Sequence, residues 1–400
     1  MVKHSRDVAV IAGVVYFIQG AIGISGIALP LFLRNLKWSV SEITTISAIA
    51  GIPWVLKILY GLLSDSYPFF GYRRKSYLIL FSVLSALGWL SLLFLPTHKF
   101  LILFSMILTN TGFAATDVIT DGLIVEHSTE LTSPLYQSIA WGSRSAGALI
   151  TGFLGGWLAS FWPPQNIFFV TMFLPLSIMV TALWIREKKR ETAPFHSMLA
   201  PFKKSIRMIL SKNLRWFTAI LIVAAISSSF GVPFFFFMKE TLGFHESFLG
   251  ALSSLGWGGA MIGSFIYARW LRRISPKITL RCAIIFNCVY IMCALLIKNQ
   301  SSALVLVFMG GIMGCLVMLP VMSSAAALTH NTGVESTLFA ILMSVFNFGQ
   351  IIFGFWGGGL YEKIGLYPLI VAAGTIALSG IFFVEKLNLP PCPAVLKAKG

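Results

Sequence analysis

The sequence predicts an all-α integral membrane protein, with twelve transmembrane helices forming two pseudo-symmetric six-helix bundles. Three observations predict it. Apolar residues make up 57% of the 400 positions and charged residues only 11%, with a mean hydropathy of +0.84, whereas soluble domains carry about 25% charged residues. The apolar runs continue over roughly 20 residues without alternation of period 2, which selects helices over barrel strands. Finally, a shift of 202 positions superposes Gly61 on Gly263, Gly112 on Gly314, Gly147 on Gly349, Gly152 on Gly354, Gly155 on Gly357 and Gly156 on Gly358. Glycine occupies 35 of 400 positions, too few for four such coincidences within one pair of segments to arise by chance.

In chain order, the apolar segments span 8–33, 43–64, 76–96, 100–124, 134–160 and 166–186, then 214–238, 247–269, 278–297, 302–328, 335–361 and 366–385. The first is longer than the apolar core of a secretory signal and lacks a small-x-small cleavage pattern, so it reads as a retained helix. Connections are short except for 187–213, which opens on Glu187-Lys188-Lys189-Arg190-Glu191 and continues through Lys203, Lys204, Arg207 and Lys212. It is expected to be a basic linker between bundles 1–186 and 214–400, with room for an amphipathic piece on the membrane surface.

Lysine and arginine placement sets the expected orientation. With the amino end inside, 22 of the 30 fall in inner segments and six in outer ones. Both termini are therefore expected in the cytoplasm, for a multi-pass protein of a bacterial inner (cell) membrane. The net charge of +16 is accounted for by topology and contact with anionic lipid, not by nucleic-acid binding. The five cysteines, Cys282, Cys288, Cys293, Cys315 and Cys392, form no CxxC pair and read as small hydrophobes.

Against this apolar background, charge inside the membrane is expensive and marks a solute or proton path. At helical pitch Asn110, Ala114, Asp117 and Asp121 share one face of the fourth segment. Lys57 stands eight residues from Asp65, roughly 12 Å along a helix. Asp117 is nine residues from Glu126 and Arg144 ten from Pro134, both roughly 14 Å. Lys57, Asp117 and Arg144 therefore reach about the same depth. In the second half the equivalents of Lys57 and Arg144 are Gly259 and Phe346, so the chemistry is asymmetric. Two readings stay open: the cations meet an anionic substrate while Asp117 or Asp121 carries a proton, or the charges pair with one another, as buried charges must.

Aromatic surfaces for stacking are Trp54, Trp141, Phe230 and Trp257, each equally suited to packing. Gln19, Ser227, Ser229, Ser323, Asn347 and Gln350 offer polar lining or helix bridging. Asp65, followed by Gly71, Arg73, Arg74 and Lys75, suits a gate between helix ends. No nucleophile elbow, metal-ligand spacing or phosphate loop is present, so the sequence predicts neither an enzyme nor an ATP-driven pump, and no metal or cofactor.

Two parallel six-helix halves are the architecture of major facilitator transporters. Within that architecture the motifs Pro53-Trp-x-x-Lys57-x-x-Tyr60-Gly61-x-x-Ser64-Asp65, Tyr67-Pro68-x-x-Gly71-Tyr72-Arg73-Arg74-Lys75-x-Tyr77 and Asp117-Val-x-x-Asp121-x-Leu-x-Val125-Glu126, with Trp141-Gly142 and Gly147, resemble the folate-biopterin transporter family. The resemblance covers the amino-terminal half by motif and the other half by spacing. It implies proton-coupled uptake of folate, biopterin or a related compound; some members handle other metabolites, including S-adenosylmethionine.

The expected sites follow. Lys57, Asp117, Arg144, Trp54 and Trp141 would bind substrate. Asp121, with Asp117, would couple protons. Asp65, Gly71, Arg73, Arg74 and Glu126 would gate. The expected partners are a small-molecule substrate, protons and membrane lipid, with the chain a monomer. An exchanger of another organic solute, or a non-transporting receptor or scaffold, is the alternative.

Overall fold

The computed structural model describes residues 3–94, 98–127, 133–189, 196–271, 274–329, 332 and 335–389. Its helices, in order, are α1 (Lys3–Ala21), α2 (Ala28–Asn35), α3 (Val40–Ala50), α4 (Ile52–Val55), α5 (Lys57–Ser66), α6 (Lys75–Phe94), α7 (Lys99–His127), α8 (Ser133–Ala159) and α9 (Pro164–Leu183). They continue with α10 (His196–Ile209), α11 (Lys212–Ala224), α12 (Gly231–Phe236), α13 (Glu246–Arg269), α14 (Pro276–Cys293), α15 (Gln300–Thr329), α16 (Glu335–Ile364) and α17 (Leu366–Glu385). Among the described residues the single β feature is a bridge between Phe69 and Tyr72.

Eleven helical stretches among the described residues are long and apolar enough to cross a bilayer. The remaining expected segment is α8. At about 1.5 Å per residue its 27 residues reach across, but Arg144 and a run of glycines and serines lower its hydropathy. Its small residues serve close packing instead, as is usual between membrane helices.

Several expected segments are broken where continuous helices were predicted. The first passes from α1 through a 3-10 turn at Ile22–Ser25 into α2. The seventh does the same at Ala225–Ser229, between α11 and α12. Glycines at 20, 23 and 26 and serines at 227–229 are weak helix formers, and the tighter turns leave carbonyls open to approach. In the second segment Pro53 cannot donate to the helical ladder and crowds the preceding turn. The helix is interrupted at Gly51, and at Leu56 the backbone leaves α geometry.

The chain divides into two compact units. The first comprises Met1–Ser39, Ile49–Met198 and Phe244–Ser254; the second comprises Val40–Ala48, Leu199–Gly243 and Leu255–Gly400. Each thus includes the start of a helix whose remainder belongs to the other.

The core of the first unit joins Val8, Ile11, Val15, Tyr77, Leu78, Phe113, Ile119, Tyr136 and Ile178. In it a Cβ at Gly155 would collide with the Ile24 carbonyl, and one at Gly156 would lie 2.5 Å from Gly250 Cα.

The second unit has two apolar clusters, one around Phe217, Leu221, Leu280, Leu338 and Leu342, the other around Phe230, Phe237, Ile291, Leu369 and Ile370. Here a Cβ at Gly357 would collide with the Ser229 carbonyl, and one at Gly358 with Thr44 Oγ1 and Ser41. The glycine repeat therefore marks equivalent close approaches. In each unit one glycine meets the carbonyls of the 3-10 break and its neighbour meets the start of the exchanged helix.

The linker contains the amphipathic helix α10, whose Met208 and Ile209 pack on the second unit's core while Lys203, Lys204 and Arg207 are exposed.

Candidate functional site

Helix α7 lies within the first unit because its small residues allow close neighbours. A Cβ at Gly112 would stand 2.5 Å from Ser85 Cβ of α6, and Ala114 and Ala115 are fully buried. Its buried threonines satisfy themselves on their own helix: Thr116 donates to the Phe113 carbonyl and Thr120 to the Thr116 carbonyl. The Asn110–Asp117–Asp121 stripe takes its donors from other helices, while Asn110 Nδ2 also donates to the Met106 carbonyl of its own helix.

Three rungs result. Asn110 Oδ1 accepts from Trp54 Nε1 at 2.8 Å. Asp117, 5% exposed, accepts from Lys57 Nζ at 2.5 Å and from Gln19 Nε2 at 2.7 Å, one on each carboxylate oxygen. Asp121 Oδ1 accepts from the Tyr16 hydroxyl at 2.5 Å. The helix break at Leu56 makes Lys57 the first residue of α5. A helix macrodipole disfavours a cation there, so Asp117 carries more of its stabilisation. The ammonium also lies 4.6 Å from the Trp54 ring centroid, within cation–π range.

Arg144 is different. It sits half-buried on α8, where its guanidinium carbon lies 5.7 Å from the Trp141 ring centroid and its carbonyl occupies the space a Gly20 side chain would need. Among the described residues no carboxylate comes within ion-pair distance of it. Pairing thus holds for Lys57 with Asp117 and does not extend to Arg144. The two aspartates also differ: Asp117 is neutralised by an ammonium, whereas Asp121 is met by a neutral phenol.

Tyr16 was not among the expected site residues, and Gln19 was one of several polar candidates. A signal existed. Tyr16 and Gln19 are polar residues three apart on one face of an otherwise apolar helix, and their rise of about 4.5 Å approaches the roughly 6 Å between Asp117 and Asp121.

At the loop from α5 to α6, Gly71 adopts φ +84°, and a Cβ there would meet the aliphatic part of Lys189 at 3.3 Å. The Glu187 carboxylate accepts from the backbone N–H groups of Arg73 (2.9 Å), Arg74 (3.1 Å to each oxygen) and Lys75 (2.9 Å). It fills the N-terminus of α6, where orphan donors and the helix dipole favour an anion. Buried Arg74 donates through Nη1 to Ser64 Oγ at 2.9 Å and packs against Gly122. The side chains of Asp65 and Glu126, two of the expected gating residues, lie outside the described residues. In sequence Glu187 only opens the basic linker; proximity in the fold exposes its role.

In the second unit, Phe230 is 5% exposed within an apolar cluster, which is a packing role. Ser323 accepts from the Tyr267 hydroxyl at 2.7 Å. The equivalent of Lys57, Gly259, is a tight approach where a Cβ would collide with the Phe308 carbonyl. Among the described residues, no group of three or more His, Cys, Asp or Glu side chains has metal-binding placement.

Comparison with known proteins agrees with this architecture. The folate-biopterin transporter of Synechocystis sp. is 28% identical over 355 residues, covering 84% of this chain and 71% of that protein. The probable folate-biopterin transporter 4 of Arabidopsis thaliana is 25% identical over 432 residues, 88% of each chain. Folate transporter 2 of Plasmodium falciparum is 28% identical over 339 residues, 80% of this chain and 73% of that one.

Among solved structures, the nucleoside transporter NupG superposes with a TM-score of 0.75 at 13% identity, over 95% of this chain and 100% of that one. A POT family transporter superposes at 0.74 and 14%, over 94% and 95%. At these identities the likeness establishes the fold. A model of the BT1 family matches residues 19–371, and the chain, a multi-pass membrane transporter, belongs to that family.

Proposed function

We propose that this protein is a secondary transporter of folate, biopterin or a related anionic heteroaromatic metabolite, working by alternating access and coupled to protons. The observation that carries the reading is the buried charge layer of the first unit. It holds two aspartates with different partners beside a cation, Arg144, that lacks a carboxylate among the described residues. A bundle braced only by its charges would pair all of them, because an unpaired charge within a membrane helix is costly even when half-buried. Names of the Synechocystis, Arabidopsis and Plasmodium relatives supply the substrate class.

In this reading Arg144 takes the substrate carboxylate, which a guanidinium binds through a planar fork of donors. Trp141 and Trp54 flank the ring system, and the Lys57–Asp117 pair orients it. Asp121 carries the coupling proton, with the Tyr16 hydroxyl as its gatekeeper. The loop with Gly71, Arg73 and Arg74, together with Asp65 and Glu126, closes one end. The halves 1–186 and 214–400, joined by 187–213, alternate access in a monomer. The lysine and arginine bias supports cytoplasmic termini, and in this reading the membrane is a bacterial inner membrane.

The test is uptake of labelled folate, biopterin and S-adenosylmethionine into vesicles reconstituted with the purified protein, with and without a protonophore. Concentrative uptake of folate or biopterin that the protonophore abolishes is the expected result. Uptake of S-adenosylmethionine alone would overturn the substrate class, and accumulation indifferent to the protonophore would overturn the coupling.

A further inference from the structure

Gln19 is 8% exposed, and only half of its amide is satisfied. Asp117 Oδ1 is a pure acceptor, so the amide nitrogen must face it, as the 2.7 Å contact shows. That fixes the amide orientation and turns Oε1 the other way. Among the described residues no donor reaches this buried oxygen. Buried polar atoms are almost always paired, and an unpaired one in a native protein needs a reason. Lys57 holds Asp117 from its other oxygen, so the chain ammonium–carboxylate–amide locks Gln19 with an acceptor left over.

The neighbourhood of Gln19 is also the neighbourhood of Arg144. The residue after Gln19, Gly20, has no side chain because the Arg144 carbonyl occupies that place. The turn of α1 that carries Gln19 is therefore packed, through Gly20, on the turn of α8 that carries Arg144, with Trp141 one turn away along α8 and against the guanidinium. Neighbouring turns of α1 and α8 thus carry an orphan acceptor, a cation without a carboxylate partner among the described residues, and an indole.

We infer that Gln19 is a substrate-recognition residue, whose Oε1 accepts a hydrogen bond from an amino group on the planar ring of a substrate whose carboxylate is held by Arg144. The inference rests on the transport reading above and adds to it the part of the substrate that is read: an N–H donor edge. Oε1 is covered in the present conformation, and the ring reaches it when the transport cycle uncovers it. A site that leaves a buried acceptor unpaired rejects a ligand lacking the matching donor.

The experiment measures binding of three probes to the full-length protein in nanodiscs: pterin, its desamino analogue, and N-benzoylglutamate, which has the carboxylates but no amino group on its ring. The wild type should prefer pterin over the desamino analogue by about fivefold, the value of one hydrogen bond. Gln19→Met, of similar length but without donor or acceptor, should abolish that preference. Binding of N-benzoylglutamate, which offers Oε1 no ring amino group, reports separately whether the Arg144 end of the site is intact. Equal affinity of the wild type for pterin and its desamino analogue overturns the inference, as does a Gln19→Met protein that keeps the preference. Either result leaves the transport reading standing. A wild type that binds none of the three probes sinks the substrate class and the inference together.

Discussion

The Tyr16 hydroxyl donates to Asp121 Oδ1 at 2.5 Å, joining α1 to α7 across 105 residues of sequence. This phenol is the partner that distinguishes Asp121 from Asp117, four residues earlier, whose partners are an ammonium and an amide. A carboxyl group met by a neutral donor can gain or lose a proton without breaking an ion pair. The first prediction follows from that difference. Asp121→Asn keeps the shape and a hydrogen-bonding group, so concentrative uptake driven by an imposed pH gradient should vanish while exchange across equal pH persists. Tyr16→Phe should slow gradient-driven uptake by roughly fivefold, the cost of one lost hydrogen bond. An Asp121→Asn protein that still concentrates substrate would show that the proton travels elsewhere.

The second prediction concerns the pair itself. Side-chain exposure is 18% for Lys57 and 6% for Asp117, so removing one partner strands a buried charge. Lys57→Ala should destabilise the protein by about 3–5 kcal/mol. The double variant Lys57→Met with Asp117→Asn removes both charges and should recover most of that loss, though not transport. Thermal unfolding of the purified protein in detergent measures both. If the double variant is as unstable as the sum of the singles, the two side chains do not act as a pair.

Much of this was legible in the sequence, and the reasons are physical. Composition and run length dictate membrane helices because lipid admits few alternatives. The approach of Lys57 to Asp117 could be anticipated by counting residues along helices, since both side chains are costly enough to stand out. Partner choice was not legible. Lys57 selects Asp117, and Arg144 does not, because Pro53 and Leu56 break the second segment and set Lys57 at a new helix start; straight-helix counting omits that kink. Tyr16 escaped because a tyrosine in an apolar segment is ordinary until a carboxylate lies opposite it. Glu187 escaped because its acceptors' partners are backbone groups more than a hundred residues earlier, which leave no trace in side-chain patterns.

Glu187 gives the third prediction. Its carboxylate gathers the N–H groups of residues 73–75, and without it those donors at the start of α6 lose their acceptor. Glu187→Ala should cost about 1–3 kcal/mol. Glu187→Gln keeps an acceptor but loses the charge–dipole attraction, and should cost about 0.3–1 kcal/mol. Limited proteolysis of the 67–75 loop, read beside the unfolding midpoint, should rank the variants in that order. Equal protection of wild type and Glu187→Ala would mean that the loop is held by other contacts.

The repeat supplies the last prediction, because it sets apart two positions that the glycine pattern makes equivalent. Gly112 on α7 and Gly314 on α15 are related by the 202-residue shift, yet their surroundings differ. A Cβ at Gly112 would run into the Phe81 carbonyl and Ser85 of α6, whereas one at Gly314 meets nothing within 4 Å. Gly112→Ala therefore forces α6 and α7 apart and should destabilise by about 1–3 kcal/mol, the usual cost of overpacking. It should also displace the Asp117–Lys57 contact and so depress transport. Gly314→Ala gains helix propensity without a clash and should be neutral or stabilising by up to about 1 kcal/mol. Unfolding midpoints of the two purified variants decide the matter. Equal destabilisation would show that α15 is packed as closely as α7; opposite signs would show that the second half retains the glycine without the contact that requires it in the first.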